Sequence, residues 1–324
     1  MATSLALASS GVPDLTTYDL LAPQLSGGKD SAVTMAVFMD TARSAGVEDR
    51  VISYHSSLGV LEWPPIVFEG TRYPGVSELA AMQSAAFGLP PDRHIEVTRT
   101  MPGPDGTAMP RSLLTEIAAY GRFPRMGSPY CRKYAKEGVV SSVWTPMVNR
   151  LKRELSRPVR ILKVMGLHSD EGADRKKRPP FRTVLANSAR VVDEWLPVKD
   201  WPTEAVKEWH ASAPVPYCWS YDSVPGAGDW RGNTRCSCAL CSYASLSDLL
   251  LSSGRRPRLA ASRARLENRI SDLQAMVAQH PLMAALAREV RLGAAVLEDL
   301  EQHGPAQAVW MPLVGGKPRP WTDL

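Results

Sequence analysis

The sequence has few cysteines and no long apolar run. Only 5 of its 324 residues are cysteine, and an odd number would leave one unpaired. This count is too small for a secreted disulfide scaffold and favours thiol or metal chemistry in a reducing compartment. No stretch reaches the roughly 18 apolar residues of a membrane span, and residues 1–11 lack the basic start of a secretory signal. We therefore expect a cytoplasmic protein with no membrane partner.

The chain also has only a small excess of positive over negative charge. The chain has 38 Lys and Arg residues against 33 Asp and Glu residues, a formal net charge of +5. With 22% charged and 44% hydrophobic residues, it is neither disordered nor collagen-like, and its length suits one large domain or two small ones. The balance permits a nucleic-acid partner without requiring one. Basic residues cluster at 152–160, 175–178 and 255–265.

Short apolar runs alternate with amphipathic stretches over the first two thirds of the chain. This alternation predicts an α/β fold with a parallel sheet covered by helices. The predicted strands are residues 18–25, 50–54, 94–98, 160–166 and 191–196. The predicted helices are residues 31–45, 77–87, 112–120, 139–155 with a kink or break at Pro146, and a helix capped by Thr203 that ends at His210.

The last third of the chain has a different composition. Residues 214–241 are rich in Pro, Tyr, Trp, Gly, Ser and Cys, lack a periodic apolar face, and are expected to fold around a bound group. After Arg258 two apolar stripes predict a helical hairpin, which either packs on the body or binds a partner or a second copy. The expected organisation is an α/β domain at 1–213, a cysteine-rich segment at 214–258, the hairpin at 259–304 and a tail at 305–324.

The segment SGGKDS, residues 26–31, lies between the first predicted strand and the first predicted helix. Gly27 and Gly28 let the backbone turn sharply and approach a ligand closely. The unpaired N–H groups and the dipole at the helix start favour a bound anion. The spacing is neither that of a Walker A loop nor that of a dinucleotide fingerprint.

Side chains of the same segment extend this chemistry. Lys29 adds a positive charge, while Asp30 is placed to cap the helix or to help hold Mg²⁺. Hydroxyl groups that suit phosphate oxygens flank the loop at Ser26 and Ser31.

SGGKDS resembles the PP-loop of the ATP pyrophosphatase superfamily, whose members bind ATP, cleave its α–β bond and adenylylate a substrate. Further matches resemble the phosphoadenosine phosphosulfate (PAPS) reductase-like family, close to the PP-loop component of DNA phosphorothioation and to actinobacterial and phage versions. These matches are His55, Gly59, Glu62, Trp63, Pro64, Pro129, Tyr130, Cys131, Lys136, Gly166, Glu171, Arg175, Trp195, Leu196, Pro197, Asp200, Trp201, Cys238 and Cys241. The chain departs from the family at Ser57, His168 and Gly172, where Asp, Arg and Ser are usual.

The resemblance implies a Rossmann-like adenine nucleotide alpha hydrolase (PP-loop) fold that binds ATP and Mg²⁺. Lys29 and Asp30 are the implied catalytic residues. The implied ATP-binding set adds to loop 26–31 the residues His55, Glu62, Gly166 and His168. Alternatives remain for two of them, because His55 also suits a structural histidine and Glu62 a surface carboxylate.

Cys236, Cys238 and Cys241 form a C-x-C-x-x-C motif on a segment without a core of its own. Thiolates at this spacing are typical metal ligands, and metal binding supplies folding energy. The resemblance makes Cys131 the first candidate for a fourth ligand, and Cys218 is the alternative. The set suits a [4Fe–4S] cluster or structural zinc, and free buried cysteines or a disulfide remain further alternatives.

Two features separate sulfur transfer from sulfate reduction. The reductases carry a nucleophilic cysteine on a C-terminal Cys-Gly segment, whereas the last cysteine here is Cys241. The reductases also tend to lose the Lys-Asp pair that this chain keeps. The leading hypothesis is an ATP-dependent adenylylating enzyme of sulfur transfer. PAPS or adenylylsulfate reduction and a non-catalytic ATP-binding subunit with a structural metal are the alternatives.

The leading hypothesis also predicts partners. The expected acceptor is a nucleic acid, DNA rather than tRNA, and the expected sulfur donor is of the cysteine desulfurase type. Oligomers through the C-terminal helices fit the same pattern. The candidate contacts to a polyanion are Arg122, Arg125, Arg132, Lys133, Arg175, Lys176, Lys177 and Arg178.

Overall fold

The computed structural model describes residues 11–102, 107–125, 128–236, 238–279, 287–291, 313–314 and 317–318. The chain divides into two compact units, each assembled from separate segments. The first unit is Met1–Ser56, Pro64–Val97 and Val140–Arg231. The second is Ser57–Trp63, Thr98–Val139 and Gly232–Leu324.

The strands confirm the predicted α/β class with a largely parallel sheet. In chain order they are β1 (Leu20–Gln24), β2 (Ser53–Ser57), β3 (Ile66–Phe68), β4 (Thr71–Tyr73), β5 (His94–Thr98), β6 (Thr100–Pro102), β7 (Ala108–Pro110), β8 (Val159–Met165), β9 (Phe181–Ala186), β10 (Arg190–Trp195), β11 (Leu313–Val314) and β12 (Lys317–Pro318). The six-stranded central sheet has the order β5-β2-β1-β8-β10-β9. Strand β1 is parallel to β2 and β8, β10 is parallel to β8, and β9 is antiparallel to β10.

The strand order changes direction between β1 and β8. The chain leaves β1 toward β2 and β5 on one side, and it later returns to β8 on the other side. Open α/β sheets bind ligands at such a switch point, outside the carboxyl ends of the strands. The loop after β1 and the residues after β8 both lie at this point, consistent with a Rossmann-like arrangement.

The helices of the described residues are α1 (Lys29–Ser44), α2 (Val76–Ala86), α3 (Leu113–Tyr120), α4 (Gly138–Leu155), α5 (Ala173–Lys176), α6 (Thr203–His210), α7 (Leu246–Arg255) and α8 (Pro257–Gln279). Helix α1 is covered on two sides. Met35 and Phe38 pack with Leu21 and Leu162 of the sheet, and Val37 packs in a second cluster with Val198 and Val206. This burial fixes the start of α1, where SGGKDS lies.

In the second unit, the apolar stripe predicted after Arg258 is confirmed on α8, where Leu259, Leu266, Ile270 and Leu273 are buried. Most of the second predicted helix, at 282–300, lies outside the described residues, although 287–291 is helical. No helix of the described part of the chain is both long and apolar enough to cross a membrane.

Helix α4 continues through Pro146 to Leu155, so of the predicted kink or break the break is absent. Two further local predictions were wrong. Thr203 is not a helix cap, because Pro202 holds that position and the Thr203 hydroxyl donates instead to Asp170 Oδ2 at 2.9 Å. The strand predicted at 50–54 begins only at Ser53, after a 3₁₀ turn at Glu48–Arg50.

Candidate functional site

The loop between β1 and α1 has a backbone that only glycine allows. Gly27 has a φ of +66°, and a Cβ added there would lie 2.4 Å from the carbonyl oxygen of Val76. Gly28 is the N-cap of α1 and has no side chain with which to cap the helix. The Lys29 N–H instead donates to the Tyr221 hydroxyl over a long 3.3 Å. The start of α1 therefore has the donors and the dipole of an anion site.

Lys29 and Asp30 form an ion pair inside this site. Lys29 Nζ lies 2.8 Å from Asp30 Oδ2, and the two residues are only 7% and 8% exposed. The other carboxylate oxygen, Oδ1, is buried and has no hydrogen-bond partner among the described residues. A buried unpartnered carboxylate oxygen is costly and suits a hard cation such as Mg²⁺.

Ser31 is engaged by the loop itself. Its Oγ lies 2.8 Å from both the Gly28 carbonyl and Gln83 Oε1, and Gln83 Nε2 donates to the same carbonyl at 3.1 Å. Ser26 is exposed. Gln83, a fully buried residue of α2, was not predicted as part of this site, because nothing in its local pattern relates it to Ser31, 52 residues earlier.

The structure brings Gly166 and His55 to the loop. A Cβ at Gly166 would lie 2.7 Å from the Asp30 carbonyl carbon and the Ser31 nitrogen, so this close approach requires glycine. His55 Nδ1 lies 2.8 Å from the Leu25 carbonyl and therefore carries the proton of that bond.

His168 and Glu62 are engaged elsewhere. His168 is buried, and its Nε2 donates to the Trp201 carbonyl. Glu62 belongs to the second unit, where its carboxylate accepts the Leu58 N–H at 3.1 Å.

His210 and Tyr221 are site residues that the sequence analysis missed. His210 Nε2 donates to the Lys29 carbonyl at 3.0 Å, and burial lowers the pKa of His210, which favours the neutral ring. His210 lies just before the segment expected to fold around a bound group, and Tyr221 lies within it. The part of that segment in the first unit packs around Asp222, which accepts the Tyr217 hydroxyl at 3.0 Å and the Trp230 N–H at 3.2 Å. The signal in the sequence was an acidic residue among aromatic and glycine residues.

Three of the predicted metal ligands share a pocket in the second unit. Cys131, Cys238 and Cys241 line it, while Cys236 is buried but is not part of the lining. Most of the other walls are apolar, and the complete remaining lining is Leu61, Leu113, Leu114, Ile117, Phe123, Pro124, Leu240, Ser242, Tyr243 and Arg263. Cys218 is in the first unit, where its Sγ lies 3.1 Å from Ser220 Oγ.

The three thiols differ in acidity. A hydrogen bond from Cys238 lowers the pKa of Cys241 to about 6, against burial and with help from the Tyr243 N–H at 3.4 Å. The same bond and burial raise the pKa of Cys238, and burial raises that of Cys131. Burial alone would lower the pKa of Lys136, but the charges of the three cysteines and Glu62 raise it. Lys136 therefore stays protonated as a counter-ion of the pocket.

Lys136 lies on the π-helical segment Arg132–Glu137. Gly138 follows it, and a Cβ there would lie 2.3 Å from the Lys133 carbonyl oxygen. Glycine therefore permits the widened turn, a geometry that is frequent at functional sites.

The donor set of the pocket suits zinc or an iron–sulfur cluster, since both prefer thiolates. In the described part of the chain, however, no three His, Cys, Asp or Glu side chains converge closely enough to hold a metal ion. The three thiols share a pocket, and Cys238 donates to Cys241. Binding a metal would require the loss of that proton and a rearrangement of the thiols.

The basic candidates fall into two groups. In the second unit Arg125, Arg132 and Lys133 are exposed, and Arg122 is half-buried. In the first unit Lys176 and Lys177 are exposed and Arg175 is half-buried, whereas the Arg178 Nε donates to buried Glu194 at 2.8 Å. Lys163 and Arg182 also pair with Glu194, at 3.3 and 3.0 Å. Arg178 is thus part of a structural ion-pair cluster.

Comparison of the chain with protein-family models found no match, and comparison with curated proteins found none. The resemblance to PP-loop proteins therefore rests on the motifs quoted above.

Proposed function

We propose that this protein is an ATP-dependent adenylylating enzyme, of the ATP pyrophosphatase type, that activates a nucleic-acid acceptor for sulfur transfer. The observation that carries the proposal is the loop at 26–31. It combines a helix start with a glycine N-cap, a φ of +66° at Gly27 and a buried Lys29–Asp30 pair with one carboxylate oxygen that has no hydrogen-bond partner among the described residues. An anion with an accompanying cation completes such a site.

The loop residues have distinct roles in this reaction. The N–H groups at the start of α1 bind the phosphates, and Lys29 exchanges Asp30 for a phosphate oxygen. Mg²⁺, when bound by Asp30 and the phosphates, neutralises charge on the triphosphate. An acceptor oxygen attacks the α-phosphorus, the α–β bond breaks and pyrophosphate leaves, so that the acceptor oxygen becomes bonded to AMP. Lys29 and the helix start stabilise the negative charge of the leaving group.

Sulfur transfer would follow adenylylation. A sulfide-level nucleophile from a cysteine desulfurase-type donor bonds to the acceptor atom, and AMP leaves with the acceptor oxygen. Cys131, Cys238 and Cys241 would hold a [4Fe–4S] cluster or zinc, with Lys136 balancing their negative charge. A bound cluster would supply a place for sulfide. We include in this proposal that the α/β fold is the PP-loop fold.

Pyrophosphate release from ATP with Mg²⁺, measured with single- and double-stranded DNA and with tRNA, tests the first step. Lys29→Ala is expected to lower the rate by roughly 10- to 100-fold, because a hydrogen bond to a charged group is lost. Lys207→Ala, which removes a lysine paired with Glu204 at the surface of α6, is the matched control. Equal rates in the two variants would contradict the role of the loop. Sulfite formed from PAPS with thioredoxin would favour the reductase instead.

Anaerobic purification followed by iron, acid-labile sulfide and zinc analysis tests the thiol pocket. Cys131→Ser is expected to lower the bound metal, whereas Cys218→Ser, in the other unit, is expected to leave it unchanged. Full metal content in Cys131→Ser would remove this residue from the ligand set. A colourless protein that contains one zinc would exclude the cluster.

A further inference from the structure

The second unit presents an exposed aromatic ring that a second ring supports from behind. Tyr120, the last residue of α3, stacks on Tyr130 with a centroid distance of 4.0 Å and an interplanar angle of 8°. Tyr130 is buried, whereas Tyr120 is 42% exposed. Because Tyr130 covers one face of Tyr120, the exposed surface of Tyr120 is on its other side and its edge, which it shares with the Arg122 guanidinium.

Backbone contacts hold this ring in place. Gly121 ends α3 in the left-handed conformation, with a φ of +69°. Its carbonyl accepts Gln274 Nε2 at 2.7 Å, and the Ala118 carbonyl accepts Arg291 Nε at 3.2 Å. The Tyr130 hydroxyl donates to the Arg122 carbonyl and closes the loop between the two rings. Tyr120 is thus pre-organised, and a ligand that stacks on it would order little further chain.

One cation lies over the Tyr120 ring, and two more lie over a neighbouring ring. The Arg122 guanidinium carbon lies 5.4 Å from the Tyr120 centroid. Tyr134, whose ring is 6.0 Å from that of Tyr120, has Arg99 at 5.2 Å and Lys133 at 5.4 Å from its own centroid.

The same segment carries most of the net charge of the chain. Thr98–Val139 has seven basic and three acidic residues, a net +4 of the +5 of the whole chain. Its two described acids are already paired, Glu116 with Arg111 at 3.0 Å and Glu137 with Arg132 at 2.9 Å. The charge of this surface therefore complements a polyanion. An exposed aromatic ring is not required for binding charge, so it points to a ligand that also has a flat face.

We propose that Tyr120 is the stacking platform for an unpaired nucleobase, and that Arg122, Arg125 and Lys133 contact the phosphates beside it. The inference rests on the proposed function in one respect, namely that the acceptor is a nucleic acid, and it specifies a single-stranded or locally unpaired segment. Sites for single strands combine a basic surface with aromatic rings on which bases stack, whereas a paired duplex keeps its bases inside.

The platform adjoins the thiol pocket within the same unit. Phe123 and Pro124 line that pocket, and Cys131 directly follows Tyr130. The Tyr243 hydroxyl, next to the pocket, donates to the Arg125 carbonyl at 2.8 Å. The segment that follows Tyr120 in the chain therefore reaches the thiol pocket.

The test is fluorescence anisotropy of the full-length protein with a labelled single-stranded oligonucleotide and with a hairpin duplex, at two salt concentrations. Tyr120→Leu removes the aromatic face but keeps a bulky apolar side chain, and it is expected to weaken single-strand binding roughly 5- to 150-fold. Tyr120→Phe is expected to bind like the unmodified protein. Met276→Ala, a change of a 40% exposed side chain on α8, is the matched control. Lys133→Gln is expected to weaken all oligonucleotides similarly and to lower the salt slope by about one.

Three results would overturn the inference: unchanged single-strand binding in Tyr120→Leu, duplex binding at least as tight as single-strand binding, or equal competition by an acidic peptide of the same charge. Measuring pyrophosphate release distinguishes a failure of this inference from a failure of the proposed function. Single-strand binding that depends on Tyr120, without any pyrophosphate release, would support the platform and contradict the enzyme. Pyrophosphate release without single-strand binding that depends on Tyr120 would support the enzyme and contradict the platform.

Discussion

Replacing Gly27 with alanine tests the geometry of the anion site directly. Two separate penalties follow from the structure. The φ of +66° disfavours any residue with a Cβ, and the new Cβ would lie 2.4 Å from the Val76 carbonyl oxygen at the start of α2. This second atom belongs to the backbone, so the clash is relieved only if α2 or the loop moves.

Gly46 provides a control that carries only the first penalty. Its φ is +65°, and no atom lies within 4 Å of an added Cβ. Gly46→Ala should therefore lower the free energy of unfolding by roughly 1–2 kcal/mol, the cost of the left-handed conformation. Gly27→Ala adds overpacking of roughly 1–3 kcal/mol, for a total of roughly 2–5 kcal/mol.

The measurement is urea unfolding of both variants, together with calorimetric binding of tripolyphosphate under native conditions. Gly27→Ala should be the less stable variant and should lose tripolyphosphate binding, while Gly46→Ala should bind like the unmodified protein. Equal losses of stability would refute the close approach of the loop to α2. Intact tripolyphosphate binding in Gly27→Ala would refute the placement of the anion site at this turn.

Two further predictions concern stability. Burial would raise the pKa of the Glu194 carboxyl, but Lys163, Arg178 and Arg182 hold it below its usual range. The ionised carboxylate therefore stabilises the fold at pH values above its pKa in the unfolded chain, and this stabilisation is lost as the pH falls through the pKa in the folded protein. Glu194→Gln should be less stable than the unmodified protein at neutral pH, yet it should lose less stability between about pH 5 and about pH 3 in urea titrations. An equal loss of stability in both proteins over this pH range would contradict the assignment. Ser245 caps α7 by accepting the Asp248 N–H at 3.1 Å, so Ser245→Ala should cost about 1 kcal/mol in the same assay, and a cost no larger than that of exposed Ser247→Ala would contradict the cap.

The geometry of the loop at 26–31 was predictable from the sequence because its determinants are local. A strand, a turn that needs glycine and a helix follow one another within residues 20–44, and each has its own signal in the chain. The requirement for Gly166 was not visible in this way. It arises because β8 pairs with β1, which brings the turn after β8 against Asp30 and Ser31. Such a contact depends on the order of strands in the sheet.

The edge strand β9 shows a second limit. Residues 181–186 lack the continuous apolar run of a central parallel strand, because β9 pairs only with β10 and all but one of its residues are exposed. Buried β8 and β10 have that run and were predicted close to their observed bounds. Period and apolarity thus identified the central strands and also the other edge strand, β5, at its predicted bounds of 94–98, whereas they missed β9.

The cysteines show that a sequence motif can suggest a type of chemistry without showing which residues lie together in the structure. The spacing C-x-C-x-x-C groups Cys236 with Cys238 and Cys241, yet the pocket takes the latter two together with Cys131, more than 100 residues earlier. The Ala239 N–H donates to the Leu61 carbonyl at 2.7 Å, and this tertiary bond helps set which side chains of the motif face the pocket. Side-chain direction in an irregular segment follows from such contacts and has no period to be read from the chain. A ligand assignment therefore needs the packing of the segment, and in this unit that packing places the charge of Lys136 near the same thiols.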